Sequence, residues 1–198
     1  ILSSANPVAE AAASPNSMIA GGLLVLAMGL PLSMIPIVLY PLFKRHNEIL
    51  AMGAVLFRGV LEAMVYVAMA LTMFVMTTIG RDLGAAESEA WSAVLVGAMD
   101  WMEVLLATVF SIGAVMLGWL FYKTEIIPRW LALWGLIGGV LYFVAPFAVM
   151  FDIQNLELSL TTGIGFLLAP LAIQEMVFAV WVLVKGFRRD GIEELVKI

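Results

Sequence analysis

Five stretches of this chain are continuous apolar runs of about 20 residues or more, the length a helix needs to cross a membrane. They run from about Met18 to Phe43, Ile49 to Ile79, Trp91 to Tyr122, Trp130 to Phe151 and Gly163 to Val184. None alternates apolar with polar residues, so a β-barrel is excluded. The fold class this predicts is all-α, a transmembrane helical bundle. The composition agrees: 63% of the residues are hydrophobic, 13% are charged, and the mean hydropathy is +1.05. Soluble domains are about half apolar and about a quarter charged. A disordered chain, a nucleic-acid binder and almost any soluble enzyme are excluded.

Lysine and arginine placement predicts the orientation, because basic residues stay on the cytoplasmic side. If the five runs alternate, Lys44, Arg45, Lys123, Arg129, Lys185, Arg188, Arg189 and Lys197 all fall on one side. The other side carries Arg81 with Glu10, Asp82, Glu87, Glu89, Asp152 and Glu157. This predicts an integral membrane protein with the C-terminus inside and residue 1 outside. Residues 1–17 read as an outer-side loop, 18–185 as the bundle and 186–198 as an inner-side tail. The tail is compatible with a short interfacial helix turning Ile192, Leu195 and Val196 to lipid, and equally with a frayed end. The chain begins with Ile1 on the predicted outer side, which leads one to expect a leader or a further helix upstream.

The second and third runs exceed what a bilayer demands, so they are expected to tilt or protrude on the outer side. Pro31, Pro36 and Pro41 each remove a backbone donor from the first run. Gly135-x-x-x-Gly139 in the fourth permits close helix packing.

Ionisable groups inside a bilayer cost on the order of 2.5–3.5 kcal/mol each on insertion scales, so they need partners or water. Here they are Arg58 and Glu62 in the second run, Asp100 and Glu103 in the third, and Glu175 beside Gln174 in the fifth. Counted by helical rise from Arg45 and Lys185, Arg58 and Glu175 lie roughly 15–20 Å from the inner boundary, near mid-membrane. Glu62 lies one turn beyond Arg58 on the same helical face. The simplest arrangement holds Arg58 between Glu62 and Glu175. Such a group either fixes helix register as a buried ion pair or forms a pocket that binds a ligand or relays protons. One cation against several acids leaves negative charge that a proton, water or a bound cation must offset. Asp100 and Glu103 also fit the outer interface, in water. Pro170 frees the Phe166 carbonyl one turn before Gln174, which fits either a common kink or an irregular site-lining helix.

Several chemistries have no residues to carry them. The chain has no cysteine and a single histidine, His46, in the loop KRHNE. Paired-histidine haem ligation and histidine-based triads are therefore excluded within this chain. Every lysine lies at a membrane edge, which excludes a retinal Schiff base. The Glu-x-x-His pattern of carboxylate-bridged metal centres is absent, so no metal ligands are assigned, while such a centre and other cofactors stay open. The thirteen methionines are scattered and read as packing.

Three segments carry a family resemblance: LFYKTEIIPRWLALWGLIGG (Leu120–Gly139), FRGVLEA around Arg58 and Glu62, and LLAPLAIQEMVFAVWVLVKGF near the C-terminus. They resemble a bacterial family of multi-spanning membrane proteins catalogued as domain of unknown function 4386. The resemblance covers most of the chain from the first run onward. Arg58, Glu62 and Glu175 match polar positions of that family. It implies a helix upstream of residue 1 and about six spans in all. It also implies a histidine in the middle of the third run, where this chain has Gly113 at the nearest position. An activity resting on that histidine would be lacking here. The family brings no reaction with it.

Two functions follow as expectations. The first is binding or transport of a small molecule, ion or lipid at the Arg58, Glu62 and Glu175 site, with Gln174, Glu103 and Asp100 as further candidates. The second is a non-catalytic accessory subunit of a larger membrane complex, with neighbouring subunits or further copies of itself as partners besides the bilayer. An enzyme ranks third, since no nucleophile, histidine or metal set is present.

Overall fold

Helix follows helix along the chain in a computed structural model that describes residues 1–151, 156, 158 and 163–197. The elements are α1 (Pro7–Ala13), α2 (Pro15–Ala54), a π-helical segment (Val55–Leu61), α3 (Glu62–Ile79), α4 (Ala85–Thr124), α5 (Arg129–Val149), α6 (Gly165–Lys185) and α7 (Arg189–Lys197). No strand occurs among the described residues. Asp152 and Glu157, expected among the outer acids, lie outside the described residues.

Among the described residues four helical runs are long and apolar enough to cross a membrane, the first being Pro15–Ile79. That run is folded in two at Asn47, whose φ of −155° and ψ of 101° lie outside the helical region. Gly21 meets Met73, Gly29 meets Tyr66 and Gly59 meets Ile37. Each pair is nearly equidistant from residue 47, which is the signature of an antiparallel hairpin. Asn47 makes this turn because its Oδ1 accepts the Leu50 N–H at 3.0 Å and so caps the second arm. The five apolar runs of the sequence are thus five crossing segments. Pro31, Pro36, Pro41 and Pro170 all sit inside continuous helix.

Glycines set the remaining packing. Gly53 faces Met116 and Gly113 faces Arg58, so α4 runs antiparallel to the second arm of the hairpin. Gly118 and Gly139 fit α5 against α4, while Gly135 and Gly138 fit α6 against α5. The Gly135-x-x-x-Gly139 motif is therefore split between two neighbours. This antiparallel order brings Arg45, Lys123, Arg129, Lys185 and Arg188 to one end of the bundle. At that end Glu125 pairs with Arg129 and Arg188, and Arg45 Nη1 donates to the Val196 carbonyl at 3.3 Å.

Two sequence expectations need correction here. Residues 1–17 are not all loop: Pro7–Ala13 is a helix, capped by Asn6 Oδ1 accepting the Ala9 N–H. Its Val8 and Ala11 are fully buried, and Asn6 Nδ2 and Oδ1 bond Ser88 and Ser92 of α4. Pro7 and Pro15, which suggested a loop, are the first residues of α1 and α2, and Ser14 stands between them as the cap of α2. In α7, Leu195 is buried in the bundle core and Ile192 packs beside it, while Val196 alone of the three is well exposed. Gly191 makes this docking possible by lying against the Thr124 carbonyl.

Apolar packing falls into two main cores. The core at the basic end contains Phe43, Leu120, Phe121, Ile126 and Leu131. At the far end a methionine-rich core gathers Met18, Met69, Met73, Met76 and Met99. Arg58 and Glu62 lie in sequence between the hairpin residues of the two cores. Helix α4, at about 60 Å long, runs past both.

Candidate ligand-binding site

The site begins with a backbone irregularity. The Glu62 N–H donates to the Phe57 carbonyl, five residues back, within the π-helical segment Val55–Leu61. Such turns are rare and recur at functional sites. In an α-helix Arg58 and Glu62 would share a face. The π-helical turn keeps them near one face too, and Glu62 stays within electrostatic range of Arg58. Arg58 reaches instead to α6, where its Nη2 donates to Glu175 Oε1 at 2.5 Å. The expected double pairing of Arg58 is therefore corrected: Glu175 is its partner, and no ion pair joins it to Glu62 among the described residues.

Arg58 is nearly enclosed. Its side chain is 5% exposed, against 30% for Glu175. Its guanidinium carbon lies 4.5 Å from the centre of the Phe110 ring, a cation–π contact from α4. Its Nε has no hydrogen-bond partner among the described residues. Gly113 allows this enclosure. A Cβ there would stand 2.6 Å from Arg58 Cβ and 2.8 Å from its backbone nitrogen. The resemblance led one to expect a histidine near this position, and this backbone has no room for any side chain at Gly113.

Glu62 is fully buried, and neither carboxylate oxygen has a hydrogen-bond partner among the described residues. Tyr66 and Tyr142 lie close enough to interact electrostatically with Arg58, Glu62 and Glu175. Tyr66, Tyr142 and Phe110 were absent from the sequence candidates. Tyr66 had a signal, since it continues the four-residue spacing Arg58, Glu62, Tyr66. Tyr142 and Phe110 had none, because aromatic residues are common throughout the runs.

Gln174 is held across the α5–α6 contact, its Nε2 donating to the Leu131 carbonyl at 3.1 Å. Gly135 makes the space, since a Cβ there would lie 2.9 Å from that nitrogen. Asp100 and Glu103 sit on α4, about two to three turns before Phe110. They lie towards the far end of α4, with Glu103 exposed and within electrostatic range of Tyr142.

Beside the ion pair lies a cavity of about 530 Å³. Its walls are α2 from Pro31 to Leu39, α4 from Ala114 to Phe121, Ala132 and Gly135 of α5, and α6 from Leu171 to Leu183. Arg58 and Glu175 are its charged lining groups and Gln174 a polar one; the other lining residues are apolar. The cavity exists because α2 and α6 do not pack together among the described residues. It is a side groove between them. Its rim residues Met34, Val38 and Leu183 are 49%, 68% and 86% exposed, so the groove opens sideways through apolar edges. It runs from the Arg58–Glu175 pair towards Phe187 at the basic end. No group of three or more metal-ligating side chains occurs among the described residues.

The family model described as a domain of unknown function, DUF4386, matches residues 1–186. The chain belongs to this family. The DUF4386 match spans the whole five-segment bundle, including both partners of the ion pair and every groove residue but Phe187. No curated protein matches the chain, and no solved structure does. The DUF4386 description carries no reaction or ligand.

Proposed function

We propose that this DUF4386 protein binds a molecule dissolved in the bilayer, taken up sideways into the groove between α2 and α6. The observation that carries this reading is the groove itself. Its volume of about 530 Å³ is within the usual range for ligand pockets, which are mostly apolar with a few placed polar groups. A ligand with an apolar body and one polar end matches this lining, the polar end meeting Arg58 and Glu175. Transport follows if the groove also opens at another level. The basic end is cytoplasmic in this reading, on the positive-inside rule, and the membrane is a bacterial cytoplasmic one.

The test is native mass spectrometry of protein extracted gently from its own membranes, followed by the Arg58→Gln variant. A defined small molecule or lipid carried by the wild type and lost from a folded Arg58→Gln variant supports the reading. A folded variant that keeps both its cargo and its activity overturns it.

A second reading is an accessory subunit. It is favoured by α6, whose close backbone contacts among the described residues are to α5 and which leaves Ile173, Met176, Val180 and Val184 exposed. Stoichiometric partner chains in the same spectra support that reading, and a monomer stable alone counts against it.

A further inference from the structure

We infer that the groove selects an apolar carboxylic acid, and that the acid exchanges its proton with Glu175 as it binds. This inference rests on the groove reading above and names the ligand's chemistry.

Access and reward have opposite requirements. The groove opens through Met34, Val38 and Leu183, which are exposed apolar side chains. A molecule arriving through them must be soluble in hydrocarbon, where an ion is heavily penalised. A phosphodiester is charged at every ordinary pH and fails this requirement. A carboxylic acid passes in its neutral form. At the end of the groove, the guanidinium of Arg58 rewards an anion. Its geometry is that of a carboxylate site already, because the group it holds is the carboxylate of Glu175.

Arg58 has donors to spare. It uses Nη2 on Glu175, and Nε has no partner among the described residues. A guanidinium presents five N–H groups in a planar fork. Glu175 is the more accessible member of the pair, 30% exposed against 5%, and it lies on a helix with no direct packing against α2. It is therefore the partner that can yield its place.

The exchange balances. The O–H bond of the acid breaks and its proton passes to a carboxylate oxygen of Glu175. The ligand carboxylate then accepts hydrogen bonds from Arg58, and neutral Glu175 gives up the ion pair. The net charge of the site is unchanged, so no uncompensated ion is left in the bilayer. The other ionisable groups facing this exchange are Glu62 and Tyr66 from α3 and Tyr142 from α5, with Glu103 of α4 acting on Tyr142.

An acid that is an anion in water must collect one proton to bind. Its Kd then rises about tenfold per pH unit above the ordinary carboxyl range. An alcohol with the same chain has no such dependence. The experiment measures binding of dodecanoic acid and dodecanol to the full chain in phosphatidylcholine nanodiscs at several pH values. The expected result is tighter binding of the acid, with the tenfold slope in the wild type. The slope should disappear in Glu175→Gln, whose anion binding needs no proton. Acid and alcohol binding equally, or a wild-type slope of zero, overturns the inference and leaves the groove reading standing. A bound phospholipid that the acid cannot displace also overturns it. Binding of neither probe, with no cargo of any kind, overturns both. If the variant fails to fold, the infrared band of carboxyl-13C dodecanoic acid bound to the wild type decides the exchange: a carboxylate band supports it and a neutral-acid band overturns it, because a neutral acid bound without exchange gives the same slope.

Discussion

Glu62 and Gly113 are the residues whose substitution the structure makes most informative. Glu62 is fully buried with both carboxylate oxygens unpartnered among the described residues. An unsatisfied buried polar group costs about 1–3 kcal/mol. Glu62→Met is therefore expected to raise stability by about that amount, the reverse of most core substitutions, as read from thermal unfolding in detergent. A lowered midpoint would show that Glu62 has a partner which the fold depends on. Gly113 makes the opposite case. Alanine there meets Arg58 backbone and Cβ atoms within 3.2 Å, so overpacking of about 1–3 kcal/mol is expected. Gly97, on the same helix, has nothing within 4 Å of its would-be Cβ. Gly97→Ala should be neutral or stabilising by about 0.5–1 kcal/mol. Equal melting of the two variants would contradict the close approach of α4 to the π-helical segment.

At the scale of elements, the hairpin at Asn47 and the π-helical segment decide where the charges go. Asn47 stops one helix and caps the next through its bond to the Leu50 N–H. Asn47→Ala should cost about 1 kcal/mol, and Asn47→Ser should recover most of it. Circular dichroism melts of the two variants check this, and indistinguishable midpoints would mean that the loop is held by other contacts. The π-helical segment matters more for function. It carries Arg58 against α4 at Gly113 and Phe110. From there its side chain crosses to α6 and ties the hairpin to a helix with which it has no close backbone contact among the described residues. The Arg58–Glu175 link is thus the boundary of the groove as well as its polar end. Removing Arg58 alone leaves acids without their cation and should cost about 3–5 kcal/mol. Changing Arg58 and Glu175 together to Met and Gln should recover much of that loss.

For the whole molecule, the antiparallel order sorts charge by end. The chain contains no cysteine, so single cysteines report position without background. His46→Cys at the basic end should resist a membrane-impermeant maleimide in intact cells, and Arg81→Cys at the other end should react. The reversed pattern would place the basic end outside and refute the cytoplasmic assignment.

The sequence by itself determined that the chain is a bundle of five apolar helices with one basic end. Helix length and charge placement are properties of single segments, and they need no knowledge of neighbours. It also marked Arg58, Glu175 and Gln174, because an ionisable or amide side chain stands out in a run of Leu, Val and Ala. Only the tertiary structure decided which acid takes the arginine, because that depends on where α6 lies beside the hairpin, which no single segment announces. The same holds for the groove. A gap between α2 and α6 is a fact about two helices that fail to meet, and it is set by glycines that draw α4, α5 and α6 together elsewhere. Tyr66, Tyr142 and Phe110 joined the site for the same reason: an aromatic residue in an apolar run becomes a polar or cation-binding neighbour only when packing sets a charge beside it.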